Sequence, residues 1–411
     1  MSEQQSQELR EMSPSRPPAQ MPSLSMRVKS SMIMGITGLI SRCFLHGFNT
    51  VETHGLAQFR ELLDSRADPE KRERGLLTGI FSPSFILCCI NIFLYFSNHV
   101  SVLDDPMVWG LLPLSYAFNP NNLRWTLGAH DICFKNQLFS SFFTHGQVLP
   151  CHRSKHSPHG GLFQPCMTQA IRLLSHPSPS PPASPYYTTT GTDSILSPLT
   201  HPQHRRYSWV HVFPEGLVHQ HPDVDLRYFK WGVARLILES EPSPDIVPMF
   251  IDGTQKCMAE DRGFPKFLPR VGKTVRVTFG GVLDYEATFG DLKARWDELV
   301  RRETKKGNTT KTVGWLWKTA VIEQTDDGDG DGQRQVGELT SEELRNGREA
   351  REIRIEVARR MREEILRLRS ERGVYKESEE SFGRAETWRV DKGEEGKKYR
   401  SRVDGSQINQ D

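Results

Sequence analysis

A histidine and an aspartate stand five residues apart in the segment SNHVSVLDDP, directly after an apolar run. On a straight helix, side chains at this spacing would diverge by about 140°. They can meet if His99 lies in the turn before a helix and Asp104 lies one turn inside it. The Asp104 carboxylate would then accept a hydrogen bond from one ring nitrogen and leave the other as a base. Such a pair is two-thirds of a Ser-His-Asp triad whose hydroxyl would come from a substrate.

The same spacing also fits a helix-capping aspartate beside a buried histidine, so the choice depends on the rest of the chain. Three further segments each place a cation, a carboxylate or a rigid proline in or at the end of a predicted strand. They are Gly146–Arg153 (GQVLPCHR), Phe213–Gly216 (FPEG) and Val247–Met249 (VPM).

The order and spacing of these four segments resemble the four motifs of the glycerophospholipid acyltransferase family. The likeness is stronger to the branch of that family that remodels cardiolipin in mitochondria, and it covers roughly residues 24–290. The segments that carry it are Asn98–Pro106, Arg124–Thr126, Asp131–Phe134 and Arg227–Gly232. The resemblance implies an α/β fold, a mixed sheet flanked by helices, with an apolar face that rests in one leaflet of a membrane.

For His99 and Asp104 the resemblance implies a transacylation, in which an acyl chain passes from a phospholipid to a lysophospholipid. His99 would be the general base that deprotonates the lysolipid hydroxyl, and Asp104 would hold the tautomer of His99. The partners would be the two lipids and the membrane. No cofactor and no metal is implied.

The resemblance assigns the remaining motif residues to the substrate. Arg153 would bind a lipid phosphate, and Glu215 and Gly216 would hold the glycerol or phosphate end of the lipid. Pro248 would shape the acyl pocket without reacting. The alternatives from the residues alone are a surface salt bridge for Arg153 and a helix-capping carboxylate for Glu215.

One stretch departs from the family pattern. Residues 79–96 (GIFSPSFILCCINIFLYF) carry no charge, and Pro83 shortens any helix there. In the family, the residues that correspond to Gly75–Thr78 run almost directly into those that correspond to Ser97–His99. The stretch is therefore an extra membrane anchor or a translated intron. If it is present in the mature protein, Ile92–Phe96 would replace the strand before His99.

Composition indicates how the elements around these residues are organised. Apolar residues make up 36% of the 411-residue chain. The deficit is local, which suits one core of roughly 220–250 residues. The expected parts are a disordered segment at 1–22, an acyltransferase domain over 23–300 with insertions at 79–96 and 176–206, and a charged linker with an amphipathic helix over 301–411. The insertion at 176–206 is rich in proline, serine and threonine and is predicted to be a loop or linker.

Periodicity supports the α/β class, because predicted strands alternate with helices. The clearest signals are strands at Trp209–Phe213, Ile246–Ile251 and Val275–Phe279, and a helix at Trp231–Leu238. Residues 54–74 are predicted to form a charged helix. A long amphipathic helix is predicted where Ile353, Val357, Met361, Ile365 and Leu368 recur at helical spacing. It would pack against the domain or against a partner helix, or it would contact the membrane.

Two features bear on location. The apolar stretch Met26–Leu45 carries Arg27, Lys29 and Arg42, which favours a helix in the membrane interface; a buried core helix is the alternative. Glutamates at positions 3, 8 and 11 interrupt any presequence, so a mitochondrial address would be internal. With the resemblance, we expect peripheral or interfacial attachment to a mitochondrial membrane, inner or outer, facing the intermembrane space.

Other signals are weaker. The net charge of +2 and the absence of aromatics among basic clusters argue against nucleic acid, and the seven cysteines lack zinc spacing. Asp327–Glu338 fits the EF-hand loop expression, but Arg334 replaces an apolar residue, so we interpret it as a solvated linker. His219, His221 and Asp223 lie in a polar turn and are interpreted as solvent-facing.

Two other functions remain open at this stage. One is an acyl-CoA-dependent lysophospholipid acyltransferase built on the same motifs. The other is a non-catalytic membrane protein, if the stretch 79–96 is real and disrupts the site. The sequence does not distinguish head-group or acyl selectivity.

Overall fold

The fold was analysed in a computed structural model that describes residues 24–81, 105, 110–154, 156–176, 186–198, 207–216, 224–259, 264–265, 268–318, 335–339, 341–371, 373 and 375–389. Several predicted features lie outside these residues. They are His99 and Asp104, the segments 1–22 and Ile92–Phe96, residues 327–334 of the tract that fits the EF-hand expression, and His219, His221 and Asp223.

A seven-stranded mixed sheet forms the centre of the protein, which confirms the predicted α/β class. Its strands are β1 (Thr50–His54), β2 (Leu76–Phe81), β3 (Trp125–Ala129), β4 (Val148–Cys151), β7 (Trp209–Val212), β8 (Asp245–Asp252) and β9 (Thr274–Phe279), and a separate two-stranded hairpin is formed by β5 (Tyr186–Tyr187) and β6 (Ile195–Leu196). The order across the sheet is β1-β9-β8-β2-β7-β3-β4. Strands β8, β2, β7, β3 and β4 are mutually parallel, whereas β9 runs antiparallel to β8.

Helices cover both faces of the sheet, as a largely parallel sheet requires. They are α1 (Leu24–Phe48), α2 (Leu56–Ser65), α3 (Leu114–Ala117), α4 (His130–Cys133), α5 (Gln137–His145), α6 (Pro165–Leu174), α7 (Gly232–Glu239), α8 (Thr254–Cys257), α9 (Tyr285–Lys318), α10 (Glu342–Asn346), α11 (Arg348–Ser370) and α12 (Ala385–Arg389). Helices α1, α2 and α3 pack on one face of the sheet. Helices α6, α7, α9 and α11 pack on the other.

Helix α1 lies against the sheet on one side only. Met34 and Leu45 are fully buried, whereas Leu24 is 74% exposed and Met32 is 54% exposed. By length and composition, α1 is the one helix among the described residues that could cross a membrane, and 39% of its most apolar part is buried. Helix α1 therefore has one side buried against the domain and one exposed side that carries apolar residues.

Strand β2 includes the first residues of the anomalous stretch. Gly79 pairs with Val212 on one side and with Pro248 on the other, and Phe81 pairs with Phe250. The central strand is therefore built from Leu76–Phe81, and it ends eighteen residues before His99.

Two predicted segments differ in the structure. Residues 54–74 were expected to form one charged helix, but α2 ends at Ser65 and Asp68 caps a separate 3-10 turn at Pro69–Lys71. The proline at the start of this turn cannot continue the helical hydrogen bonds. The linker expected from residue 301 begins as helix, because α9 continues to Lys318.

Candidate active site

The carboxyl ends of five parallel strands meet at one edge of the sheet, and three of the predicted site residues, Arg153, Glu215 and Gly216, lie there. Ala129 and Cys151 are partners in the register of β3 and β4. Asp131 and Arg153 each follow two residues later, and their side chains meet. Arg153 Nε donates to Asp131 Oδ1 at 3.1 Å, and Arg153 Nη2 contacts Asp131 Oδ2.

This ion pair is half-buried and determines the charge of the acid. Partial burial opposes ionisation of Asp131, but the hydrogen bonds and the charge of Arg153 hold its pKa below the ordinary value. The guanidinium therefore faces a carboxylate that is ionised at neutral pH. The salt bridge expected as the alternative role of Arg153 is present, with a partner from one of the segments that carry the family resemblance.

Glu215 lies at the same edge, three residues beyond the end of β7. The turn Phe213–Gly216 closes with a hydrogen bond from Gly216 N to Phe213 O at 2.9 Å. Gly216 has φ +65°, and a Cβ there would lie 2.8 Å from Lys230 Cδ, so the turn requires glycine. Lys230 N donates to Pro214 O at 2.8 Å, which fixes the turn against the segment that precedes α7.

The Glu215 carboxyl is enclosed by that neighbouring segment. Arg227 N approaches Glu215 Oε2 at 3.4 Å. Burial raises the pKa of Glu215 to about 8, although the positive charges of Arg227 and Arg362 act in the opposite direction. At neutral pH the carboxyl is mainly protonated, and its O–H can donate to a phosphate or ester oxygen.

Pro248 does not reach this edge. It lies in β8 beside Gly79 of β2, four residues before the strand ends. Gly280 N donates to Pro248 O at 2.9 Å, and a Cβ on Gly280 would lie 2.8 Å from Pro248 Cγ. The proline therefore stands where the ladder between β8 and β9 ends, so its missing N–H is tolerated there.

A buried ion pair fixes the residue that follows Asp104. Arg124 Nε donates to Asp105 Oδ1 at 2.7 Å, and Arg124 Nη2 contacts Asp105 Oδ2. A third hydrogen bond runs from Arg124 Nη1 to Gly146 O at 3.2 Å. Arg124 is 1% exposed and Asp105 is 2% exposed, so the pair is closed to solvent.

A buried histidine lies below the edge, in β7. Thr78 Oγ1 and His211 Nδ1 are 2.6 Å apart, and Trp209 Nε1 donates to Thr78 Oγ1 at 2.8 Å. Burial, aided by the charge of Arg124, lowers the pKa of His211 well below its ordinary value. The imidazole therefore stays neutral and serves the packing of the central strands.

The Pro/Ser-rich insertion contributes a folded piece to the site. The β5–β6 turn is held by Asp193, whose carboxylate accepts from the backbone N–H groups of Thr189 and Thr190 at 2.8 and 2.7 Å. His152 Nε2 lies 2.9 Å from Thr189 Oγ1, and its ring stacks on His130 at 4.1 Å. The hairpin thus docks beside Arg153.

Sequence reasoning missed several of these residues. Nothing in the local pattern singled out the pairing of Asp105 with Arg124 or of Asp131 with Arg153, although all four lie in the segments that carry the resemblance. A signal existed for the arginines of α11, since Arg354, Arg362 and Arg369 each directly follow an apolar residue of the predicted stripe. Among the described residues, no group of three or more His, Cys, Asp and Glu side chains is arranged to hold a metal.

Comparison with known proteins gives consistent matches. Residues 91–252 match the family model described as Acyltransferase. A tafazzin of Saccharomyces cerevisiae is 33% identical over 343 residues, which cover 81% of this chain and 75% of the yeast protein. A tafazzin of Drosophila melanogaster is 35% identical over 199 residues, which cover 48% and 42% of the two chains. An N-acylphosphatidylethanolamine synthase of Arabidopsis thaliana is 32% identical over 192 residues, which cover 46% and 55%.

Proposed function

Because the chain belongs to the tafazzin family and is an acyltransferase, we propose that it moves fatty acyl chains from phospholipids to lysophospholipids and that cardiolipin is among its substrates. One structural observation carries this proposal. Arg153 and Glu215 lie far apart in the sequence, yet both follow strands of the parallel part of the sheet and lie at the same edge of it. Strand β2 also ends at that edge, and its last residue precedes His99 by eighteen positions in the sequence.

The reaction that we propose is a symmetric ester exchange. His99 removes the proton from the lysolipid hydroxyl, and the oxygen attacks the carbonyl carbon of the donor ester. When the tetrahedral intermediate collapses, the protonated His99 returns the proton to the departing lysolipid oxygen. One ester is broken and a nearly isoenergetic one is formed, so the exchange runs in both directions without a nucleotide, a metal or a thioester.

The two edge residues hold the lipid head in this scheme. A phosphate would accept hydrogen bonds from the Arg153 guanidinium and would compete there with the Asp131 carboxylate. The protonated carboxyl of Glu215 would donate a further hydrogen bond to a phosphate or glycerol oxygen. Asp104 would orient His99.

The same family relationship leads us to propose attachment to a mitochondrial membrane through α1. Leu24, Val28, Met32 and Ile36 follow one another at four-residue spacing and are between 46% and 74% exposed. Such a stripe suits burial in one leaflet, where the substrates reside. A cavity of about 340 Å³ opens beside it, partly lined by Met32, and could accept part of an acyl chain.

The proposal is tested with purified protein, lysocardiolipin and acyl-labelled phosphatidylcholine in bilayers without coenzyme A. We expect label in cardiolipin, and we expect the reverse transfer when the labelled lipid is exchanged. His99→Ala is the matched variant, which should bind bilayers normally and transfer about 10²–10⁴-fold more slowly. Transfer that requires added acyl-CoA would identify an acyl-CoA-dependent acyltransferase instead, and no transfer under either condition would identify a non-catalytic protein.

A further inference from the structure

Helix α11 carries three arginines on its buried side. Arg354, Arg362 and Arg369 are at most 7% exposed, although most other charged side chains of this helix face solvent. A buried guanidinium is costly unless its donors are matched by acceptors. The positions of those acceptors therefore indicate what each arginine holds.

Two of the three guanidinium groups donate hydrogen bonds to backbone carbonyls of one neighbouring segment. Arg362 Nε donates to Arg227 O at 3.0 Å, and Arg362 Nη2 donates to Leu226 O at 2.7 Å. Arg369 Nε donates to Val224 O at 3.1 Å. Arg354 differs, since it binds the carbonyls that end α10.

This segment, Val224–Lys230, packs against the turn that carries Glu215. The backbone N–H of Arg227 faces the Glu215 carboxyl, and Lys230 N bonds to Pro214 O. One continuous set of contacts thus runs from α11, through this segment, to the turn at the sheet edge. Helix α11 lies beyond residues 91–252, the part that matches the acyltransferase family model.

We propose that Arg362 is a positioning residue for acyl transfer, which holds the Val224–Lys230 segment against the Glu215 turn and supplies positive charge to the Glu215 carboxyl. This inference rests on the proposed function and deepens it, because it gives the C-terminal helix a part in positioning the residues that bind the substrate. Helix α11 thus contributes to acyl transfer although it lies outside the residues that match the family model.

The charges around the two side chains determine the sign of the effect. Arg227 and Arg362 face Glu215 as cations, and Asp225 faces it as an acid. Burial lowers the pKa of Arg362, whereas Asp225, Glu215 and Glu363 favour its charged form and Arg369 opposes it. Ser378 links the groups, since its Oγ donates to Asp225 Oδ1 at 2.6 Å and accepts from Arg362 Nη2 at 3.3 Å. Removal of the Arg362 charge therefore raises the pKa of Glu215 further.

The test compares Arg362→Gln, Arg362→Lys and Glu215→Gln in full-length protein, with Arg359→Gln as the control on the exposed side of α11. The readout is kcat/KM for acyl transfer between pH 5 and pH 10, with KM and kcat separated. In the unaltered chain, transfer should decline at alkaline pH as Glu215 loses its proton. In Arg362→Gln this decline should move to higher pH by about half a unit or more, and KM should rise.

The other variants separate the possible outcomes. Glu215→Gln should lose the alkaline decline, and Arg359→Gln should leave it unchanged. Arg362→Lys should keep the position of the decline and should still raise KM, because the ammonium lacks the planar fork with which Nε and Nη2 of Arg362 reach two carbonyls. An Arg362→Gln profile identical to that of Arg359→Gln overturns the inference while the proposed function stands. A Glu215→Gln profile identical to that of the unaltered chain overturns the role of Glu215 itself.

Folding of the variants is checked by circular dichroism and thermal melting. If Arg362→Gln does not fold, Arg362→Lys decides, and an unchanged KM in that variant overturns the inference. If neither variant folds, Arg362 is a purely structural residue and the inference fails.

Discussion

Arg124 and Asp105 form a bidentate ion pair in which both side chains are buried. Arg124 directly precedes β3, and Asp105 directly follows Asp104 in the chain. The sheet thereby anchors the residue next to the carboxylate that we assign to orient His99. A buried pair of this kind contributes little net stability, but the loss of one partner leaves an uncompensated charge.

We therefore predict that Arg124→Gln costs about 3–5 kcal/mol of unfolding free energy. Asp105→Asn should in addition slow acyl transfer, because Asp104 loses its anchor. Denaturant unfolding and transfer assays measure the two effects. Arg348→Gln, which disrupts an exposed pair with Glu352, is the control and should cost less than about 1 kcal/mol. Unchanged stability in Arg124→Gln would show that the pair is not closed to solvent.

The Arg153–Asp131 pair offers a second prediction, because the two partners should behave differently. If Arg153 binds a lipid phosphate, Arg153→Gln removes a charge-assisted hydrogen bond and should raise KM about 10- to 100-fold. Asp131→Asn removes the competitor and should leave KM unchanged or lower it. If Arg153→Gln and Asp131→Asn lower stability equally and leave KM unchanged, Arg153 forms only a structural salt bridge and does not bind the lipid.

Glu215 should make the stability of the fold depend on pH. Its pKa is about 8 in the folded chain, against an ordinary value of 4.5. Between these values the folded chain holds a proton that the unfolded chain has lost, so stability falls as pH rises from about 4.5 through about 8. Glu215→Gln removes this dependence. The melting temperature of this variant, relative to that of the unaltered chain, should therefore increase as pH rises to about 8. A constant difference between pH 5 and pH 9 would contradict the shift.

The stretch 79–96 can be tested by deletion. Removal of these residues joins Thr78 directly to Ser97, so that His99 takes the register position of Phe81, beside Phe250 at the end of β2. We therefore expect transfer by the shortened chain to be preserved or increased. Complete loss of activity, in a variant that still folds, would show that the stretch is a working part of the protein.

Helix α1 should carry the attachment to lipid. Met32→Glu and Ile36→Glu each place a charge on the exposed apolar stripe, where burial of a large apolar side chain is worth about 1.5–3 kcal/mol. Each should weaken binding to cardiolipin-containing vesicles about tenfold or more in a flotation assay. Ile355→Glu is the control, since Ile355 is 50% exposed on α11. Equal loss in all three variants would mean that the stripe has no special role.

Much of the architecture could be predicted because hydrophobic periodicity is a local property. The strand predicted at Ile246–Ile251 is observed as Asp245–Asp252, and the helix predicted at Trp231–Leu238 is observed as Gly232–Glu239. The amphipathic helix is confirmed as α11, and it packs against the domain. The resemblance to the acyltransferase family is confirmed as well.

The contacts that build the site could not be predicted, because they depend on register between distant strands. Asp131 meets Arg153 only because Ala129 and Cys151 are partners. The β5–β6 hairpin lies in a segment whose composition indicated only a loop, and its docking depends on a histidine that follows another strand. The burial of Arg362 follows from the carbonyls that α11 meets, which its own sequence does not contain.

The position of β2 in the sheet bears on how the protein is synthesised. Both hydrogen-bonding neighbours of this central strand, β7 and β8, come from much later in the chain. A ribosome adds about 5–20 residues per second, so β2 emerges roughly 10–30 s before β8 does. During that interval Leu76 and Leu77, both buried in the finished protein, lack their pairing partners Asp245 and Ile246 of β8. The central strand therefore completes its pairing only after residue 252 has left the ribosome.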